Sequence, residues 1–422
     1  MTRAATPKLG AYAGLAALGL LAGLVLGRPE VVALAAPFAL VVCLGALAAR
    51  RPDLEVAVEL DRERALEGDE IGVRIDLDSV RGLTEVEVKL EVPSGLRVVE
   101  GENPVALRVP PNRPASVVLK LRSEHWGAYV VGEVAIRAGD VFGLFVHEEE
   151  LELPRPLKVY PRAETLRNLI RPLETQVFSG NQVARVKGEG IEFADLRPFT
   201  PGDRIRRINW RASARRGELW VNEHHPERNA DVVVFLDSFT EARRGPESSL
   251  DQSVRAAAGL LAGYVGLRDR VGFVGFGGIV RWLRPASGMN QLYRVVDALL
   301  DTEITLNYAW KGIDLIPPGV LPPQALVVAL TPLLDDRSVT ALLDLRARGF
   351  DLAVVDVSPV PYADPGPNEV DQLAYRLWQL QREVIRARYE GVGVSIVEWR
   401  EGTPLVAALE EVIAFRRRVR HG

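Results

Sequence analysis

Four arginines recur at helical spacing within residues 188–221, which read GEGIEFADLRPFTPGDRIRRINWRASARRGELWV. At 100° per residue, a helix places them on one face. They are Arg204, Arg207, Arg211 and Arg215. Guanidinium groups repel one another, so this face needs an anionic neighbour. Carboxylates of the same chain, an acidic protein surface and phosphate all satisfy that need, and the spacing alone leaves these alternatives open.

Asp203 is the residue expected to begin this helix. It follows a Pro-Gly turn, and its carboxylate can accept hydrogen bonds from the free amides of a first helical turn. The predicted helix runs from Arg204 to about Arg215. Ile205 and Ile208 form a second, apolar face, so Ile208 and Trp210 are expected to fix the helix to a domain core.

A second group of polar side chains follows the apolar run DVVVFLD at 231–237. A continuous apolar run is typical of a parallel strand buried on both faces, and parallel sheets bind ligands at the carboxyl ends of their strands. The oxygen donors at this strand end are Asp237, Ser238, Thr240 and Glu241. Such groups can hold a divalent cation, or they can act as acid and base in hydrolysis.

The sequence lacks other recognisable catalytic and cofactor motifs. The chain has one cysteine, Cys43, so an internal disulfide is excluded. Cys43 also lies in an apolar run. There is no Gly-Lys-Ser/Thr phosphate loop and no Gly-x-Ser-x-Gly elbow, so any ATP hydrolysis must come from a partner. The glycines around Gly275 lack the third glycine of a dinucleotide loop. His224 and His225 would point to opposite faces of a strand, which disfavours zinc.

These observations exclude several classes of function. No cofactor is expected. A formal net charge of -4 at pH 7 also argues against nucleic acid as a partner, because proteins that bind it usually carry a basic surface.

A carboxy-terminal domain predicted at 230–422 would position the strand-end groups. Apolar runs alternate there with helical patterns, which is typical of a doubly wound α/β sheet. The runs expected as strands are 231–237, 271–276, 325–330, 352–357 and 393–397. The preceding segment, 162–229, is interpreted as a linker that carries the arginine helix.

Residues 53–161 show a different pattern. Short runs there alternate apolar and polar residues, most clearly at 54–60, 71–77 and 86–92. Period-two alternation with frequent turns predicts antiparallel strands that bury one face. We interpret this segment as an immunoglobulin-like β-sandwich without a catalytic group.

Residues 1–52 contain two uncharged runs, 9–26 and 31–49. A helix of this length spans about 27 Å, close to the hydrocarbon thickness of a bilayer. Basic residues flank the pair at its outer ends: Arg3, Lys8, Arg50 and Arg51. By the positive-inside tendency, a two-pass membrane hairpin is predicted with the large carboxy-terminal portion in the cytoplasm. A cleaved signal peptide is the alternative, disfavoured because a second apolar run follows at once.

The arginine-rich stretch and the strand after it resemble the signature of the domain-of-unknown-function 58 family. The matching residues are Gly190, Phe193, Arg197, Gly202, Asp203, Arg207, Ile208, Trp210, Ser213, Ala214 and Arg215. The later part of the sandwich segment, 126–129 through 140–145 to 159–161, is also similar, although Val141 stands where proline is usual. The resemblance implies a membrane hairpin, a β-sandwich, a von Willebrand factor A-like domain and association with a MoxR-type AAA+ ATPase. It implies no particular reaction.

A von Willebrand A domain that binds a cation needs Asp-x-Ser-x-Ser after its first strand, because a divalent cation requires several converging oxygens. Here Phe239 and Glu241 stand at the two serine places. The run 325–330 leads into Thr331, where an aspartate would help. We therefore expect a degenerate site without a metal near Asp237.

These features predict a membrane-anchored cytoplasmic binding or scaffold protein, not an enzyme, that works with a MoxR-type AAA+ ATPase. Its expected partners are that protein and the lipid bilayer. The predicted binding residues are Arg197, Asp203, Arg207, Trp210, Arg211, Ser213 and Arg215. The alternative hypothesis is a hydrolase or transferase of cell-envelope precursors that uses Asp203, Asp237 and Glu241. A deep cleft with converging carboxylates would favour the enzyme, and a flat surface would favour docking.

Overall fold

The chain divides into two compact units, Met1–Arg162 and Ala163–Gly422. The first contains two apolar helices and two β-sheets, and the second contains a largely parallel sheet with helices. The computed structural model describes residues 2–48, 51–140, 142–166, 168–172, 193–200, 205, 208–224, 230–305, 316–317, 320–323 and 325–421.

The first unit begins with two apolar helices, α1 (Pro7–Leu26) and α2 (Pro29–Ala48). Large apolar side chains point outward along both, and Leu24, for example, is 80% exposed. A core helix of a soluble protein would bury such side chains. The predicted pair of apolar helices is therefore confirmed, and both are long enough to cross a membrane.

Glycines of α1 allow the two helices to approach closely. A β-carbon on Gly19 would lie 2.5 Å from Cβ of Ala35, and one on Gly23 would lie 2.5 Å from Cγ2 of Val32. Small residues at such positions are a common feature of packed membrane helices.

Two β-sheets make up the rest of this unit. Their strands are β1 (Thr2–Ala5), β2 (Glu55–Leu60), β3 (Arg64–Leu66), β4 (Glu70–Asp78), β5 (Leu83–Glu91), β6 (Leu96–Glu100), β7 (Val105–Val109), β8 (Ala115–Ser123), β9 (Gly127–Gly139) and β10 (Phe145–Tyr160). One sheet has the order β1-β10-β9-β5-β7, with β3 parallel to the end of β10. The other has the order β2-β4-β8-β6 and is antiparallel throughout.

The alternating runs of the sequence bury one side of each strand. In β4 the buried side chains are Ile71, Val73, Ile75 and Leu77. They join Val86, Val88 and Leu90 of β5 in one hydrophobic cluster that both sheets share. Because a strand turns successive side chains to opposite faces, period-two alternation is sufficient to build this core. The predicted antiparallel strands with one buried face are confirmed.

The turn between β9 and β10 lies at the base of the helical pair. Asp140 holds the turn, since its Oδ1 accepts from the amides of Leu144 at 2.6 Å and Phe145 at 3.1 Å. The amide of Thr6, just before α1, donates to the carbonyl of Leu144 at 3.0 Å. Nζ of Lys8 donates to the carbonyl of Phe142, also at 3.0 Å. The turn between β9 and β10, which is part of the segment that resembles the family, therefore attaches the sheet to the helical pair.

The second unit contains ten strands among its described residues. They are β11 (Phe193–Pro198), β12 (Trp220–His224), β13 (Asp231–Ser238), β14 (Arg243–Arg244), β15 (Glu247–Ser248), β16 (Arg270–Gly277), β17 (Arg281–Ala286), β18 (Leu326–Thr331), β19 (Asp351–Val357) and β20 (Ser395–Trp399). Its α-helices, within the same residues, are α3 (Trp210–Arg216), α4 (Ser249–Gly266), α5 (Met289–Leu300), α6 (Asp336–Ala347), α7 (Glu369–Gly391) and α8 (Leu405–His421).

The main sheet has the order β17-β16-β13-β18-β19-β20. All neighbours are parallel except β17, which runs antiparallel to β16 at one edge. The chain leaves β13 toward β16 on one side and returns to β18 on the other. The order therefore reverses between β13 and β18, which is where sheets of this kind form their ligand crevice. The five parallel strands expected from apolar runs are all present, and β17 was not predicted.

The beginning of the predicted linker packs on this unit. Leu166, Leu169 and Ile170 are buried, and the hydroxyl of Tyr264 in α4 donates to the carbonyl of Ile170 at 2.7 Å. Residues 163–166 and 168–172 are thus part of the α/β unit.

Candidate functional site

The signature segment forms a two-stranded ribbon with a helix inserted between its strands. β11 and β12 pair antiparallel, with Arg197 opposite Val221. The helix α3 lies between them in the chain. Beyond the paired strands, the amide of Phe199 donates to the carbonyl of Leu219 at 2.8 Å. The ribbon therefore supplies a backbone frame for α3.

The helix α3 begins at Trp210. Asn209 precedes α3, and its Oδ1 accepts from the amide of Ala212 at 2.9 Å. Ile208 forms an isolated β-bridge with Val221, so it is not helical. Pairing with Val221 holds Ile208 extended, so one continuous helix from Arg204 to Arg215 does not form. Of the predicted residues, Asp203, Arg204 and Arg207 lie outside the described part of the chain.

Ser213 connects the helix to the ribbon. Its hydroxyl donates to the carbonyl of Asn209 at 2.8 Å and accepts from the amide of Trp220 at 2.8 Å. The side chain is buried. Gly217 then ends the helix with a left-handed φ of 74°. Ser213 therefore positions α3, and its hydroxyl does not face outward.

Replacing Ser213 by alanine should lower the free energy of unfolding by about 1–2 kcal/mol, because the part-buried amide of Trp220 loses its side-chain acceptor. Urea denaturation of the full-length protein in detergent measures this change. The matched control is Ala214→Ser on the exposed side of the same helix, which should change stability by less than about 0.5 kcal/mol. Equal effects at both positions would contradict the role given to the Ser213 hydroxyl.

The outward face of α3 carries an aromatic ring and two guanidinium groups. Trp210 is 64% exposed, and Arg211 and Arg215 are exposed beside it. The expectation that Trp210 fixes the helix to a core is wrong, since its ring faces solvent. Ile208, which was expected to share that role, is buried. Among the described residues, no carboxylate forms an ion pair with Arg211 or Arg215.

Two further arginines of the segment have local partners. Nη1 of Arg197 donates to the carbonyl of Pro198 at 3.1 Å and to Oγ1 of Thr200 at 3.2 Å. The guanidinium of Arg216 lies 3.9 Å from the ring centre of Trp220. Both side chains brace the ribbon, which leaves Trp210, Arg211 and Arg215 as the outward-facing group.

The strand-end group lies at the crevice position between β13 and β18. Oδ2 of Asp237 accepts from the hydroxyl of Thr331 at 2.6 Å, and Oδ1 accepts from the amide of Phe239 at 3.1 Å. The carboxyl group is buried. Burial raises the pKa of Asp237 to about 6, although these hydrogen bonds oppose the shift.

The aromatic ring two residues after Asp237 is also buried. Phe239 is buried and packs edge-on against Phe276, with ring centres 5.3 Å apart. The guanidinium of Arg337 lies 4.0 Å from the centre of the Phe239 ring. At the first serine place of the metal motif, the chain therefore has a buried apolar contact instead of an oxygen.

The remaining oxygen donors diverge from Asp237. Thr240 is exposed, and Oε1 of Glu241 accepts from Nε of Arg243 at 2.9 Å. Within the part of the chain that the structure describes, no group of three or more His, Cys, Asp or Glu side chains is placed to hold a metal ion.

A second buried carboxylate, Asp356, lies at the end of β19. Nη2 of Arg382 contacts both of its oxygens, at 2.7 and 2.9 Å, and Nε of Arg386 donates to it at 2.8 Å. Nη1 of Arg382 also donates to the carbonyl of Pro332 at 2.6 Å, which connects α7 to the end of β18. Arg386 then reaches Glu398 at 3.3 Å. We call Asp356, Arg382, Arg386 and Glu398 the buried ion cluster.

The sequence interpretation missed this cluster, although two signals were present. The run LAVVDV places Asp356 near the end of an apolar strand, as Asp237 is placed in DVVVFLD. Arg382 and Arg386 are four residues apart on a helix that precedes the last strand. Asp237 and Asp356 are both buried, and guanidinium groups contact Asp356 directly. Asp237, one of the three carboxylates that the hydrolase hypothesis uses, is 2% exposed.

Comparison with known proteins places the signature segment in context. Residues 195–358 match the family described as "Protein of unknown function DUF58". The uncharacterized protein YeaD of Bacillus subtilis (strain 168) is 28% identical over 210 residues, which are 48% of this chain and 52% of that protein. The chain thus spans about half the length of this curated relative. The resemblance to the family at the arginine-rich stretch is confirmed.

Solved structures give weaker likenesses. Native alpha-2-macroglobulin from Escherichia coli, from domain MG7 to the C-terminus, is 18% identical with a TM-score of 0.23, covering 27% of this chain and 18% of that one. A FixG-related protein from Vibrio parahaemolyticus is 12% identical with a TM-score of 0.19, covering 26% and 98%. At such scores neither likeness bears on the fold or the activity of this chain.

Proposed function

We propose that this protein is a membrane-anchored cytoplasmic scaffold that docks a protein partner on the outward face of α3. The observation that carries the proposal is the exposed Trp210 beside Arg211 and Arg215 on a helix held at both ends. Tryptophan and arginine are the residues most enriched where interfaces gain their binding energy. An ordered backbone lowers the entropy cost of binding.

The anchor in this proposal is the pair α1 and α2. Basic residues precede α1 and follow α2, which supports a two-pass arrangement with both soluble units in the cytoplasm. In this assignment the nine strands β2 to β10 form an immunoglobulin-like sandwich. The second unit is a von Willebrand A-like domain, an assignment supported by its strand order and single antiparallel edge strand.

Docking without a metal fits the burial of Asp237 and the apolar Phe239 at the first serine place. The A-like domain then acts as a rigid platform, and α3 supplies the contact. The proposed partner carries an acidic patch, since two exposed guanidinium groups must be neutralised on binding. The family resemblance suggests a MoxR-type AAA+ ATPase, which would supply the ATP hydrolysis that this chain has no motif for.

Binding of a purified MoxR-type ATPase from the same genome to the full-length protein in lipid nanodiscs tests this proposal. Trp210→Ala and Arg211→Glu should each weaken binding roughly tenfold or more, the effect typical of a central interface residue. Arg284→Glu is the control, because it makes the same charge change at an exposed site on β17. No binding to the wild-type protein, or equal binding by all variants, would refute the docking role.

A further inference from the structure

The helix α7 is apolar on two opposite sides. Its inner side packs on the domain through Trp378, Arg382, Ile385 and Tyr389, of which Arg382 and Tyr389 are buried. This side includes two members of the buried ion cluster. The domain core therefore accounts for one side of the helix only.

The outer side carries five large apolar residues that are 56% to 75% exposed. They are Val370, Leu373, Leu377, Leu380 and Val384. Their spacing alternates between three and four residues, which is the a and d pattern of a coiled coil. We call these five residues the heptad stripe. A continuous apolar stripe of this kind on a soluble domain marks an interaction site.

The stripe is already in the conformation that a coiled coil needs. Asn368 caps the helix, since its Oδ1 accepts from the amide of Asp371 at 2.7 Å. Beyond the cap, packing of the inner side of α7 on the sheet holds the remainder of the helix in place. Pairing with another helix would therefore require little further ordering of the chain.

We propose that the heptad stripe binds the same stripe of a second copy of this chain, as a parallel two-stranded coiled coil. Valine stands at two of the three a positions, 370 and 384, and leucine at the d positions 373 and 380. Valine at a with leucine at d favours two parallel strands over higher oligomers. This inference is independent of the docking face on α3.

The flanking charges favour a second copy over other occupants. In a parallel pair, the g residue Glu383 of each helix faces the e residue Arg388 of the other, which gives two opposite-charge contacts. The g residues Arg376 and Glu369 face the neutral Gln381 and Ala374, so no like charges meet. In the antiparallel alignment that brings Arg376 to Glu383, Glu369 would instead face Glu390. Helices that lie on lipid surfaces are rich in Lys and Arg beside their apolar face, whereas two of the three g residues here are glutamates.

The small size of the heptad stripe predicts that the affinity between two copies is modest. Five side chains on one helix make an interface at the low end of the range for specific complexes. Association of the free protein should therefore depend on concentration. Confinement to one bilayer would raise the effective concentration of the two copies and favour the pair.

Sedimentation of the full-length protein in detergent micelles over a concentration series tests the proposal. The wild type is expected to dimerise, and Leu377→Glu should weaken the dimer roughly tenfold or more, since it buries a charge at an a position. Gln372→Glu places the same group at an exposed site off the stripe and should leave the dimer unchanged. A wild type that stays monomeric, or a Leu377→Glu variant that dimerises normally, would overturn the proposal.

A charge exchange and a crosslink test the parallel register and guard against misfolding. Glu383→Arg should weaken the dimer, and adding Arg388→Glu should restore it, because the pair is reversed and not removed. In a Cys43→Ala background, Leu377→Cys should form an intermolecular disulfide under mild oxidation, whereas Gln372→Cys should not. Failure of the double exchange to restore dimerisation, or equal crosslinking at both cysteine positions, would overturn the parallel pairing.

Discussion

Replacing Arg382 by methionine is expected to lower the free energy of unfolding of the α/β unit by about 3–5 kcal/mol, the largest effect of any single substitution proposed for this chain. Arg382 is buried and contacts both oxygens of Asp356. Without it the carboxylate retains only Arg386, and the carbonyl of Pro332 loses its donor. Hydrogen exchange of β18 and β19 amides in the full-length protein measures the change.

Two further variants show whether this loss arises from the ion pair. Arg417→Met removes an exposed guanidinium on α8 and should cost less than about 0.5 kcal/mol. Combining Asp356→Asn with Arg382→Met should cost less than the sum of the two single changes, because removing both charges leaves no unpaired carboxylate. Strict additivity, or an Arg382→Met protein as stable as the wild type, would contradict the account of the buried ion cluster.

Replacing Asp237 by asparagine is expected to stabilise the folded protein above pH 7. The folded-state pKa of Asp237 is about 6, above the ordinary value of 3.8. Because the pKa is raised on folding, the protonated carboxyl group contributes stability that is fully present below pH 3.8. This contribution is lost as the pH rises through 6 and the buried group ionises. The difference of about two pKa units corresponds to a loss of about 3 kcal/mol in the free energy of unfolding. Asparagine stays neutral, so the variant does not undergo this loss.

The pH dependence distinguishes this effect from a general change in packing. Between pH 4 and 7 the stability of the wild type should fall relative to that of Asp237→Asn, and the two curves should run parallel above pH 7. Asp344→Asn, an exposed change on α6, should show no such divergence. Magnesium at millimolar concentration should stabilise neither protein. Stabilisation of the wild type alone would identify Asp237 as a cation ligand.

The strands of the α/β unit could be predicted because of where they lie. A central parallel strand is covered on both faces, so β13 and β18 must be apolar along their whole length and stand out in the sequence. The edge strand β17, with Arg281 and Arg284, has no such run. Alternation identified β4 and β5 equally well, because each buries one face in the shared core.

The signature segment was harder to predict because its local signals compete. Both Asp203 and Asn209 have side chains suited to a helix cap. The cap at Asn209 goes with the pairing of Ile208 with Val221, thirteen residues later in the chain. The position of the cap then decides which side of the helix carries Trp210. The buried ion cluster depends in the same way on contact between Asp356 and Arg382, which only the folded sheet brings together.

The outward face of α3 is the feature on which the proposed function depends. A photo-crosslinking amino acid at position 210, in the full-length protein in its native membrane, tests directly whether that face contacts another protein. We expect a crosslink to a MoxR-type AAA+ ATPase from position 210, and none from the control position 284 on β17. A protein that yields no crosslink at position 210, or the same products from both positions, would contradict the assignment of α3 as the docking surface.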